Sequence, residues 1–98
     1  MKNKMHLPAR VPNEGARLLA QWIARECHGA LGVANLKLCV GMPTLQRLLD
    51  GEITPGASLV GPIAERTHGR VARLDWQRAP RGGWFDAPAA AQPQRRAA

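Results

Sequence analysis

Three side chains within four residues, Thr44, Gln46 and Arg47, carry hydrogen-bonding groups of the kind that read the edges of a polyanion. A carboxamide such as that of Gln46 can both give and accept a bond on adenine. A guanidinium donates two bonds to guanine, and a threonine meets either a phosphate or a thymine methyl. The residues that could support other chemistry are poorly placed for it. His6, His28 and His68 are scattered over an N-terminal segment and two predicted helix ends. The seven carboxylates form no close pair on one face, and there is neither a glycine-rich phosphate loop nor a nucleophile elbow. His28 and His68 are explained by favourable placement at the negative ends of helix dipoles. An enzyme is therefore not expected, and no cofactor is implied. Cys27 and Cys39 lack a CxxC spacing and a histidine that would complete a zinc set, so two buried free thiols and no metal are expected.

Charge supports the same direction. Fourteen Lys and Arg against seven Asp and Glu give a net charge of +7 in 98 residues. A surface of that sign gains counterion-release free energy on a phosphate backbone, although many small basic proteins bind nothing specific. The length allows one domain with a single core. No apolar run approaches the roughly 20 residues of a membrane span, and residues 1–10 lack a signal-peptide hydrophobic region. With unpaired thiols, this predicts a soluble protein of a reducing cytoplasm, close to the nucleoid if its partner is DNA.

The elements that must position Thr44, Gln46 and Arg47 emerge from periodicity. Residues 1–12 contain Lys2, Lys4, Arg10, Pro8 and Pro12 without a sustained period, and read as a flexible basic arm. A helix is predicted over 13–28, capped by Asn13 and stopped at Gly29. Leu18, Leu19, Trp22, Ile23 and Cys27 form its apolar face and Arg17, Gln21 and Arg25 its other face. A second helix over 33–40 turns Ala34, Leu38 and Val40 inward and Lys37 outward. After a break at Gly41 and Met42, Pro43 starts a third helix that buries Leu45, Leu48 and Leu49 and ends at Gly51. Thr44, Gln46, Arg47 and Asp50 fall on or near its open side. A last helix over 58–68 carries Leu59, Val60, Ile63 and Ala64, with Pro62 either kinking it or marking a later start near Gly61. Residues 70–76 alternate as a short extended segment would, returning Leu74 or Trp76 to the core. Beyond Arg78 the chain is rich in Gly, Pro and Ala, and after Pro88 its composition is that of a disordered tail. Trp84 and Phe85 stand out within it as a docking segment for this domain or for a second copy.

Residues 34–51 resemble the helix-turn-helix of the Cro and phage-repressor class, the XRE-type regulators. Leu38 and Val40 bracket the turn, Leu45 and Leu48 hold the second helix, and TLQRLLDG is similar to the end of that family's recognition helix. The later run IAERTHGRVARLDW resembles the segment downstream of the motif in the small YdaS-like branch. Together the likeness covers residues 13–78. In it, Cys39 takes the turn position usually held by glycine, and Asn35 takes a tightly packed small position. Burying that amide without a partner would cost about 1–3 kcal/mol.

The resemblance implies an all-α, four-helix domain like that of lambda repressor, with a short extended segment after it. It implies groove-facing residues Met42, Pro43, Thr44, Gln46 and Arg47, with Lys37, Arg17 and Thr54 as contacts to the DNA backbone. Glu52 would be repelled by a phosphate at its position. The implied function is that of a transcriptional regulator binding double-stranded DNA as a dimer, on half-sites about 34 Å apart. A function of another class for the same fold is a protein-interaction module, antitoxin-like or a phage adaptor. In that case Trp84 and Phe85 would be its anchors, with Trp76 as a further residue of a dimer or partner surface.

Overall fold

The computed structural model describes residues 4–86, and the tail expected after Pro88 lies outside them. Its four α-helices are, in order, α1 at Glu14–Glu26, α2 at Leu31–Leu38, α3 at Met42–Asp50 and α4 at Ala57–Arg66. A 3-10 helix at Arg73–Gln77 completes the set.

Helix α1 begins where the sequence predicts. Asn13 is extended, and its Oδ1 accepts a bond from the Ala16 amide at 2.8 Å, which satisfies one of the helix's open donors. Leu19, Trp22, Ile23 and Cys27 are buried along one face, joined by Ala16 and Ala20. The helix packs on α3 and on the 3-10 helix, while α2 packs on α3 and α4. Leu31, Ala34 and Leu38 of α2, Leu45, Leu48 and Leu49 of α3, Ile63 of α4, and Val71 and Trp76 complete one apolar cluster. At roughly 1.5–3 kcal/mol for each large side chain removed from water, this cluster supplies the main driving force for the fold.

The connection between α2 and α3 takes three residues. Cys39 closes α2 in the left-handed conformation, with φ 59° and ψ 37°. An L residue there is strained relative to glycine, and a side chain of α2 holds the strained turn in place. The Asn35 Nδ2 donates to the Val40 carbonyl at 2.7 Å, so the amide that would be costly if unpaired instead ties the turn to α2. Cys39 is exposed and not buried as its apolar neighbours suggest, because the left-handed turn throws its side chain outward. At the far end of α3, Gly51 adopts φ 79°, and the Glu52 amide reaches back to the Arg47 carbonyl at 3.0 Å.

Helix α4 runs through Pro62 without a separate preceding turn. It stops at Thr67, whose hydroxyl donates to the Ile63 carbonyl at 2.7 Å and accepts from the Val71 amide at 3.2 Å. The segment after it is a 3-10 helix and not extended. Asp75 Oδ2 accepts from the Ala72 amide at 2.8 Å and winds the chain into a turn. Trp76 is buried as expected, and Leu74 is left 58% exposed.

Both ends of the described chain are held. The residue 4–12 segment is an arm, but it is pinned and not free: Lys4 bridges Ala30, and the Met5 amide donates to the Gly29 carbonyl at 2.9 Å. Residues 79–86 return across α1. There the Trp84 indole donates to the Pro8 carbonyl at 2.7 Å, tying one end of the described chain to the other.

Candidate functional site

On α3, Leu45, Leu48 and Leu49 point into the core. The spacing of a helix then turns Pro43, Gln46, Arg47 and Asp50 outward, with Met42 and Thr44 half-buried at the flanks. Because α1 and α2 brace the opposite side, this row is fixed in direction. Met42, Pro43 and Gln46 share an open groove of about 440 Å³ with Leu31 of α2 and with Lys4 and His6 of the arm.

Gln46 is engaged. Its Oε1 accepts from the His6 amide at 3.0 Å and its Nε2 donates to the His6 carbonyl at 2.7 Å. Nε2 also donates to Asp50 Oδ1 at 3.0 Å, one helical turn on. The carboxamide thus pairs with the backbone N–H and C=O of one residue in a two-bond manner like that in which it would pair with a base edge. Arg47 extends from the same row, and its guanidinium lies 3.9 Å from Glu52, with both side chains mostly in water. An exposed pair of that length contributes little, so Arg47 is available to another anion. Thr54 is exposed in the loop after α3.

The structure groups three expected residues elsewhere. Arg17 is no backbone contact for DNA: it is fully buried. Its Nη1 donates to Glu14 Oε2 at 2.9 Å, its Nε to the Gly83 carbonyl at 3.1 Å, and its Nη2 to the Asp86 carbonyl. Glu14 Oε1 in turn accepts from the Arg81 amide at 2.8 Å. Trp76 is buried against α1 and offers no dimer surface. Lys37 donates to the Glu26 carbonyl at 3.1 Å and lines a different cleft from that of Gln46. Of the aromatic pair, Trp84 is half-buried against the core, while Phe85 remains 58% exposed beside Gln21, Ala24 and Arg25.

Lys4 and His6 belong to the site and are missed by sequence reasoning. A segment with two prolines and no period carries no signal of where it docks.

The two thiols differ. Burial raises the pKa of Cys27, outweighing the nearby ammonium of Lys37, whereas Cys39 is exposed. At neutral pH a thiol reagent is expected to label one cysteine rapidly, with mass spectrometry locating it at Cys39. Cys27 should react only when the protein is unfolded. Equal rates for both would show that the α1 end opens freely. Among the described residues, no group of three His, Cys, Asp or Glu is placed to hold a metal ion, and no helix is long and apolar enough to cross a membrane.

Comparison of the chain with protein-family models, with curated proteins and with solved structures finds no match.

Proposed function

We propose that the chain is a DNA-binding protein of the helix-turn-helix class, with α3 as the helix that enters the major groove. Within that class it reads as a Cro- or repressor-like transcriptional regulator similar to the small YdaS-like branch, acting as a dimer on an inverted repeat. The observation that carries this reading is the outward row of Pro43, Gln46 and Arg47 on a helix braced from behind by α1 and α2. Two further features support it. The left-handed conformation at Cys39 stands where the class places glycine, and a net charge of +7 favours a phosphate backbone.

In this reading Gln46 must exchange the His6 peptide for a base edge, so its contribution is the difference between two similar sets of bonds. Arg47 gives up only a loose surface pair. Arg47→Ala is therefore expected to weaken binding to a selected DNA site by about 1–3 kcal/mol, and Gln46→Ala by less. The measurement is selection from a random duplex pool at two salt concentrations, then titration of both variants on the selected site. An unchanged affinity in both variants would overturn the assignment of α3. The interaction-module reading keeps one specific observation, the exposed Phe85 ring, since Trp84 and Trp76 are turned into this chain's own core.

A further inference from the structure

We infer that the cleft where the C-terminal ends of α1, α2 and α4 converge is a phosphate-binding site distinct from the α3 face. It has a volume of about 340 Å³, and its walls carry Lys37, Arg66, His68 and Arg70 with Trp22 and Glu26. The positions of the two arginines are set by the end of α4. Thr67 is buried and bonded on both sides, and His68 and Gly69 take φ 57° and 80°. The chain therefore reverses directly after Arg66 and carries Arg70 back to the same cleft.

The charges there are not internally compensated. Glu26, the one carboxylate on the walls, lies 3.5 Å from the guanidinium of Arg25. Among the described residues, neither Arg66 nor Arg70 has a carboxylate partner or a side-chain hydrogen bond. The simpler explanation is that these cations answer the negative ends of three helices. It accounts for Lys37, which bonds the last carbonyl of α1. It does not account for the sum: three helix ends at roughly −0.5 of a charge each, even with the Glu26 carboxylate added, fall short of the full positive charges on Lys37, Arg66 and Arg70, and Arg25 beside Glu26 adds another. The surplus is positive and is concentrated in a concave space. Two guanidiniums, which present paired donors to tetrahedral oxyanions, make a phosphoryl group the matching ligand.

That group could come from a small phosphate-bearing molecule or from a DNA backbone, and the two sources separate experimentally. The probe is inorganic pyrophosphate, titrated calorimetrically at low salt into wild type and into Arg66→Gln/Arg70→Gln. Both positions are exposed, so the variant should keep the wild-type melting temperature. Saturable binding that falls about tenfold or more in the variant, as expected for losing charge-assisted hydrogen bonds, supports the site. So does partial retention in Arg66→Lys/Arg70→Lys. Arg47→Ala should bind pyrophosphate as wild type does, which keeps this test apart from the α3 reading. In a parallel arm, the salt dependence of binding to mixed-sequence duplex is measured. A slope reduced by about one per lost phosphate contact assigns the ligand to the DNA backbone. An unchanged slope together with lost pyrophosphate binding assigns it to a free phosphate. If the double variant matches wild type in both arms, the inference is overturned.

Discussion

Arg17→Ala is expected to destabilise the domain by about 3–5 kcal/mol, the cost of removing one partner from a buried ion pair. Arg17 and Glu14 are 0% and 3% exposed and 2.9 Å apart. Alanine would leave the Glu14 carboxylate buried without its cation and strip a donor from the carbonyls of Gly83 and Asp86. Against a total stability of about 5–15 kcal/mol for a native domain, this is a large fraction. At about 4–8 °C per kcal/mol for a domain of this size, the melting temperature should fall by about 12 °C or more. Circular dichroism during heating checks it. The origin of the loss is tested by Glu14→Gln/Arg17→Met, which removes both charges together and should recover most of the stability. A loss under about 1 kcal/mol in the single variant would mean that the pair is solvated as surface pairs are.

The second large effect is expected at Gly15, in the first turn of α1. A Cβ placed there would lie 2.3 Å from Trp76 Cδ2 and 2.5 Å from Cε3, far inside the contact distance of about 3.5–4.0 Å between carbons. Helix propensity alone favours alanine over glycine by about 1 kcal/mol. Packing decides the sign, because the indole is 4% exposed and cannot shift without displacing the 3-10 helix that carries it. Gly15→Ala is accordingly expected to destabilise by about 1–3 kcal/mol, read as a lower denaturation midpoint. Gly15→Ala/Trp76→Leu should regain part of that loss, because the smaller side chain leaves room for the methyl. A stabilised Gly15→Ala would show that the indole does not rest on α1.

The elements legible in the sequence are those whose signals are local. Asn13 marks the start of α1, which ends at Glu26, short of the expected stop at Gly29, and Leu45, Leu48, Leu49 and Gly51 define α3 and its end, because a cap or a helical stripe is complete within a dozen residues. Arg17 is not legible. A cation on a helix is read as facing water, and the carbonyls that make its burial tolerable lie 66 and 69 residues later. The 3-10 helix reads as an extended segment because an alternation over seven residues also fits a turn closed by one side chain, here Asp75. Of the proposed contact row, Pro43, Gln46 and Arg47 can be placed outward from helix period alone. The engagement of Gln46 by His6 cannot, since it joins residues 40 apart through backbone groups that have no side-chain signature.

The bond from the Trp84 indole to the Pro8 carbonyl joins positions 76 residues apart. During synthesis, at about 5–20 residues per second, α1 and α3 emerge and can pair well before it forms. Until residues 81–86 have also emerged, Glu14 and Arg17 lack the backbone partners that the finished domain provides. Native closure therefore waits on the synthesis of residues 81–86, and a polypeptide halted before residue 86 would carry an incompletely satisfied ion pair on α1.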